Sequence, residues 1–299
     1  MPIHHISICI CTFKRGDLLK KLLTKLEEQQ TEGLFTYSIV VADNDCARSA
    51  EPVVKAFSND ASGLRFTYCV EPRQNIALVR NKAIQHADGD LIAFIDDDEF
   101  PEERWLAHLF KAMERYAADG VLGPVNPYFE SDPPHWVKKG RFFERPDHTT
   151  GYKLSWSEAR TGNVLFKRNI LDSDEVPFNP EFDSAGEDVD FFRRMMAKGH
   201  LFVWCSEAPA YEVVPPSRCT ARYLLRRALL RGSNFPKHGA HRVRNAAKSL
   251  LAVPIYTLAL PVLAISGKHF FIMYLIKICD HGARLLAHLG LPLVTQRET

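Results

Sequence analysis

Short apolar runs alternate with helical patterns along the first half of the chain. Ile6–Cys11 (ISICIC) is rich in β-branched residues, and Cys9 and Cys11 alternate within it as strand residues do. Over Asp17–Gln29, leucines at 18, 19, 22, 23 and 26 fall on one helix face. Tyr37–Ala42 and Leu64–Val70 predict two further strands, Asn75–His86 a helix, and Leu91–Ile95 (LIAFI) a strand apolar on both faces. This alternation predicts an α/β fold: a mainly parallel sheet with helices on both faces. Asn126–Gly151 predicts a loop region, because Pro127, Pro133, Pro134 and Pro146 fall among Trp136, Phe142 and Phe143. Asn163–Lys167 and Leu201–Cys205 then read as strands, and Glu187–Lys198 as a helix closed by Gly199.

The last third changes character. From Val213 to Cys279 there is no Asp or Glu, while eleven Lys and Arg occur. Within this stretch Ser249–Ser266 is uncharged and mostly apolar, with Pro254 and Pro261 expected to interrupt it. A first domain over 1–215 is therefore expected, ending near Pro215-Pro216, followed by a helical tail over 216–299. Eighteen residues lie at the low edge of the roughly 20 that span a bilayer. A soluble core helix, a re-entrant or interfacial hairpin and a true span all fit the pattern. The basic flank favours attachment to anionic lipid, with the first domain on the cytoplasmic face of the membrane.

The chain has 299 residues, of which 46% are hydrophobic and 25% charged, as in globular domains. A net charge of +2 argues against a dedicated nucleic-acid binder. Seven cysteines without CxxC spacing read as reduced thiols. The start of the chain lacks the basic region of a signal peptide. The histidines show no ligand spacing, and His4, His5, His238 and His241 are expected at the surface.

The most informative segment is LIAFIDDDEFP, in which Asp96, Asp97, Asp98 and Glu99 directly follow the most apolar strand. Open α/β sheets bind ligands outside the carboxyl ends of their strands. Adjacent carboxylates repel, at a cost of about 4 kcal/mol for a pair 4 Å apart at an effective dielectric of ~20. Such a cluster belongs in a solvated turn or around a hard cation such as Mg²⁺ or Mn²⁺.

Five segments then fall in family-like order. ISICICTFKR, IVVADNDCARSA, NIALVRNKAI, DGDLIAFIDDDEFP and GEDVDFFRRMMAKG together resemble the family 2 glycosyltransferases of the GT-A fold. Asn75 and Ala83 stand where that family usually has glycines. VADND, IDDDE and the basic tail further resemble transferases that build succinoglycan-type bacterial exopolysaccharides.

The resemblance implies a role for particular residues, each with a plainer alternative. Thr12, Phe13 and Arg15 would contact the uridine half of a UDP-sugar; otherwise they form a strand-to-helix turn capped by Asp17. Asp43 and Asn44 would offer acceptors to the base; otherwise they form an Asx-turn. Arg80 would lie near base and phosphates, or be a solvated helix charge. Asp96 would bond the ribose, Asp97 share that role, and Asp98 bind the divalent cation (Mn²⁺ or Mg²⁺) that bridges the diphosphate. Asp188 would be the general base, although acidic residues also favour a helix N-terminus without catalytic purpose. Asp190 could pair with Arg193 or Arg194. Arg227 and Arg231 would bind phosphate, or form a basic face on lipid.

The reading is thus an inverting, metal-dependent transfer from a nucleotide-sugar to a saccharide or lipid-linked acceptor. One rival, a sugar-1-phosphate nucleotidylyltransferase, would need a glycine-rich loop after the first strand; CTFKRGDLL has a single glycine. The other is a non-catalytic membrane scaffold with a degenerate donor site.

Overall fold

The computed structural model describes residues 3–58, 63–171, 176–182, 185–234, 242–291 and 293. His238 and His241 lie outside the described residues; His4 is exposed and His5 half-buried. The chain divides into two compact units. One comprises Met1–Asn126, Arg145–Asp183 and Glu187–Glu212, and the other Pro127–Glu144, Ser184–Gly186 and Val213–Thr299.

The first unit opens with β1 (His4–Thr12), α1 (Gly16–Glu27), β2 (Phe35–Asp43), α2 (Glu51–Ser58), β3 (Arg65–Val70), α3 (Ile76–His86) and β4 (Leu91–Ile95). β5 (Glu99–Pro101), α4 (Trp105–Tyr116), β6 (Gly120–Leu122) and β7 (Val125–Phe129) follow. After α5 (His135–Gly140), which belongs to the second unit, come β8 (Asn163–Lys167), α6 (Glu187–Ala197), β9 (Phe202–Trp204) and β10 (Ala210–Val214). Seven strands form one sheet in the order β3-β2-β1-β4-β8-β6-β9. β3, β2, β1 and β4 run parallel, and β8 is antiparallel to both β4 and β6.

Side-chain alternation explains why both faces are covered. Ile6, Ile8 and Ile10 of β1 point to the face that buries Leu19, Leu22, Leu23 and Leu26 of α1 and Trp105 of α4. Cys9, Ile92 and Phe94 point the other way, towards Val79 and Ala83 of α3 and Phe191 and Phe192 of α6. Each of the Leu, Ile, Val and Phe side chains among them contributes roughly 1.5–3 kcal/mol on burial. The strand order turns back at β1: the chain builds β2 and β3 on one side of it and returns to place β4 on the other. That reversal opens a crevice at the carboxyl ends of β1 and β4.

The structure departs from the sequence expectations at several points. α2, α4 and β6 have no counterpart in the apolar pattern, since they are short or follow a charged stretch. The proline-rich segment read as loop contains β7 and α5. Pro134 takes the N-cap of α5, a position that needs no proline N–H. Asp17 lies in the first turn of α1 but does not cap it; the N-cap is Arg15, without a side-chain bond.

The second unit holds α7 (Ala221–Asn234), α8 (Arg242–Ser266) and α9 (Lys268–His288). Its core joins Val137, Phe143, Val214, Cys219, Leu224 and Ile272. α7 and α9 approach closely at Gly232, where a Cβ would stand 2.3 Å from the Asp280 carbonyl oxygen. Pro254 and Pro261 were expected to break the apolar stretch, yet α8 runs through both. It ends instead at Gly267, whose φ is +135°. The part Ala246–Ser266 is long and apolar enough to cross a membrane. It is not a buried core helix: Leu250, Leu251, Ile255, Leu258, Val262 and Ile265 are all exposed.

Candidate active site

The crevice beside β1 is lined by the loops that follow β1, β2 and β4. Thr12, the last residue of β1, donates its hydroxyl to Asp97 at 2.8 Å. Arg15 donates through Nη1 to Asp97 at 2.9 Å and to Asp98 at 3.2 Å. One guanidinium therefore offsets the repulsion between two adjacent carboxylates. Burial, with repulsion from Asp98, raises the Asp97 carboxyl to about 6, against the pull of Arg15 and the Thr12 hydroxyl. Phe13 is half-buried beside Lys14, whose φ of 54° turns the loop and whose Nζ lies 5.0 Å from the Phe13 ring.

Asp43 anchors the loop that follows β2. It is fully buried and accepts from the backbone N–H groups of Asp45 (3.0 Å) and Ala50 (2.8 Å) and from the Tyr68 hydroxyl (2.9 Å). The Asx-turn is realised, and this carboxylate organises its loop. Asn44 pins the neighbouring loop instead. Its Nδ2 donates to the carbonyls of Glu71 and Arg73, and its Oδ1 accepts from the Asn75 N–H. Asn75, in the place of the family glycine, caps α3 by accepting from the N–H groups of Ala77 and Leu78.

Arg80 is buried, so it is not a solvated helix charge. Its Nη1 pairs with Glu187, the first residue of α6, and its Nη2 lies 3.5 Å from Asp96. Burial alone would lower its pKa, but Glu187 and Asp96 raise it further than burial lowers it. One side chain thus joins the Asp96–Asp98 loop to the start of α6, and brings these acids and Asp188 to the same region. Asp188 lies in the first turn of α6, and its Oδ2 is 4.0 Å from Arg160 Nε. Asp190 pairs with both Arg193 and Arg194 at 2.9 Å.

The sequence reading missed several supports of this region. In the sequence Glu187 reads only as the first residue of a helix. Asn81 clamps the Phe178 backbone, donating at 2.7 Å and accepting at 2.9 Å. Phe178 packs between Phe94 and Phe191, with ring centroids at 5.8 and 4.9 Å, and so seats α6 on β4. At Gly162 a Cβ would stand 2.6 Å from Glu99 Oε1 and 3.3 Å from Asp96 Oδ2. Only a residue without a side chain allows β8 to start so close to these acids. Burial and the Asp96 charge raise the Glu99 pKa well above its ordinary value, although Arg145 opposes them. Arg227 and Arg231 lie on α7 in the second unit. Arg231 Nε donates to Asp280 at 3.0 Å, so a phosphate there would compete with a carboxylate.

Asp96 and Asp98 present hard oxygen donors at a strand end, as a Mg²⁺ or Mn²⁺ site requires. Among the described residues no group of three or more His, Cys, Asp and Glu is arranged to hold a metal. The donor set therefore fits a cation completed by phosphate oxygens and water, not an all-protein cage.

The family model for glycosyl transferase family 2 matches residues 7–173. The chain belongs to this family. It is 31% identical over 256 residues to the succinoglycan biosynthesis protein ExoM of Rhizobium meliloti, covering 83% of this chain and 80% of that protein. The glycosyltransferase AglE of Haloferax volcanii is 24% identical over 68% of this chain and 64% of its own length. Among solved structures, the mannosyltransferase PcManGT of Pyrobaculum calidifontis, in complex with GDP-Man and Mn²⁺, matches with a TM-score of 0.65. That match has 17% identity and covers 94% of this chain and 86% of that one. S. aureus TarS 1–349 in complex with UDP-GlcNAc matches with a TM-score of 0.52 at 16% identity, over 70% and 58% of the two chains. These likenesses show a shared GT-A fold. This family 2 glycosyltransferase therefore has the mostly parallel sheet that its sequence pattern predicts.

Proposed function

We propose that this glycosyltransferase moves a sugar from a UDP-sugar to a saccharide or lipid-linked saccharide, with inversion, in the synthesis of a bacterial exopolysaccharide. The observation that carries this reading is the Arg80 guanidinium, held between Asp96 of the donor loop and Glu187 beside Asp188. The similarity to ExoM supports the biosynthetic setting.

In this reading Asp43 and Asn44, with the loops they order, hold the base, Thr12, Phe13 and Arg15 border the nucleotide, and Asp96 with Asp97 orients the ribose. Asp98, with Asp96, would hold a divalent cation, which when bound neutralises the diphosphate leaving group. Asp188 takes the proton from an acceptor hydroxyl. That oxygen forms a bond to the anomeric carbon as the bond to the diphosphate breaks, and the electron pair leaves with the nucleoside diphosphate. Attack comes from the face opposite the leaving group, so the configuration inverts. Positioning supplies much of the rate. Arg227 and Arg231 remain phosphate candidates by residue type alone.

The exposed apolar face of α8 and its basic flank support attachment to anionic lipid at the cytoplasmic face, where a lipid-linked acceptor would reside.

Calorimetry with UDP and Mn²⁺ tests the reading. Cation-dependent UDP binding is expected, retained in Asp188→Asn while transfer falls roughly 10²–10⁴-fold. A scaffold with a degenerate site would bind no UDP, and wild-type turnover in the Asp188 variant would remove the mechanism.

A further inference from the structure

We propose that the Ser155–Arg160 loop is a subsite for the second sugar ring of a saccharide acceptor, with Trp156 as the platform on which that ring stacks. The inference rests on the proposed role of Asp188 and adds the acceptor side of the reaction.

The loop is closed on itself and directed at the base. Glu158 caps Ser155, accepting from its hydroxyl at 2.6 Å and its N–H at 3.0 Å, while the Glu158 N–H returns to the Ser155 carbonyl at 3.0 Å. Arg160 folds back to donate from Nη1 to the Ser157 carbonyl at 3.0 Å. The same guanidinium places Nε 4.0 Å from Asp188 Oδ2. A single side chain thus reaches from near the proposed base to the carbonyl of Ser157, the residue after Trp156. The separation is on the order of 10 Å, a few residue spacings.

Trp156 is the most exposed of the four tryptophans, at 38%, whereas Trp105 is fully buried. A large aromatic left in water on the loop whose Arg160 reaches the proposed base suits a ligand with an apolar face and polar edges. A pyranose has both: C–H groups on its faces and hydroxyls around its rim. The neighbouring surface continues the theme. The exposed Tyr152 ring stacks on His148 at 4.1 Å and 5°, and His148 is steadied by Glu158 at 3.3 Å and by Trp204 edge-on at 5.4 Å. Trp204 is fixed in turn by its Nε1–H to Asp147 at 2.9 Å.

The spacing selects the class of acceptor. The terminal ring must present its hydroxyl to Asp188, so a ring on Trp156 is the next one along the chain. Arg160 lies between them with its side chain partly exposed. It acts as a positioning residue that donates to the acceptor and orients Asp188. A disaccharide or longer acceptor fills both places, and a monosaccharide fills only the first.

The test uses the full chain labelled with 5-fluorotryptophan, with Trp156→Phe identifying one fluorine resonance among four. UDP with Mn²⁺ is added first, then millimolar methyl β-glucoside, cellobiose, laminaribiose, gentiobiose or lactose. The Trp156 resonance is expected to move with at least one disaccharide, not with UDP, and far less with the monosaccharide. Trp156→Ala and Arg160→Gln should each weaken that disaccharide roughly tenfold without changing UDP affinity. Failure to bind UDP would sink the donor-site reading itself. UDP binding with a Trp156 resonance unmoved by every disaccharide, or moved equally by UDP, overturns the subsite alone.

Discussion

Arg80 and Glu187 form a buried ion pair between helices α3 and α6, 107 positions apart in the chain. The same guanidinium reaches Asp96, so the pair also sets the angle at which the donor loop meets the start of α6. Removing one partner of a buried pair leaves a charge without compensation and costs about 3–5 kcal/mol. Glu187→Ala should therefore unfold markedly earlier than wild type in calorimetry. Replacing both residues, as Arg80→Met with Glu187→Leu, should recover most of that loss. The double variant should still bind UDP poorly, because Asp96 loses its partner. Equal melting of Glu187→Ala and wild type would show that the pair carries no such load.

Gly162 supplies a second, sharper probe of the donor loop. The atom nearest an added Cβ is Glu99 Oε1, the end of a side chain that is itself buried and lies against the Asp96 N–H at 3.4 Å. It has little room to yield. Gly162→Ala should cost about 1–3 kcal/mol through overpacking and displace Asp96. Cation-dependent UDP affinity should fall on the order of tenfold. Retained affinity in titration calorimetry would mean that Glu99 moves away from Asp96 without consequence.

Much of the fold could be read from the chain because its period is strong. LIAFI is buried at every position, and the leucines of α1 cover one face of the sheet, as their spacing predicts. Elements without a strong period escaped: β6 has three residues, and α5 sits in a proline-rich segment. The Asp96–Asp98 loop and the helix of Asp188 stand out in the sequence as acid clusters on known element types. Glu187, Asn81, Gly162 and Arg160 do not, since each works through a contact distant in sequence. Asp43 shows the reverse case. Its residue type fits a ligand contact and a turn equally well, and the structure shows the turn.

Asp190 offers a pH-dependent readout of α6. Burial alone would raise its pKa, but hydrogen bonds from Arg193 and Arg194 outweigh it and leave the carboxyl below its ordinary 3.8. A carboxylate with a depressed folded pKa adds stability that is present above its unfolded value. That stability is lost as pH falls through the folded value. Asp190→Asn should therefore melt below wild type at neutral pH, and the gap should narrow as the pH drops below 3.8. Melting curves across acid pH check this; a gap that stays constant would mean the arginines contribute nothing through charge.

The tail makes a prediction about surfaces. Leu251, Ile255, Leu258, Val262 and Ile265 recur at alternating steps of four and three along α8, and all are exposed. Lys248 and Lys268, also exposed, flank this stripe. In water the stripe stabilises nothing, so Leu251→Glu with Leu258→Glu should change melting by no more than about 0.5 kcal/mol per site. On a bilayer each leucine is worth roughly 1.5–3 kcal/mol when buried in the acyl boundary. The full chain should float with phosphatidylglycerol-containing vesicles and less with purely zwitterionic ones, since each basic side chain near anionic lipid adds about 1 kcal/mol. The double variant should remain at the bottom of the gradient with both. If it floats as well as wild type, the stripe faces something other than lipid.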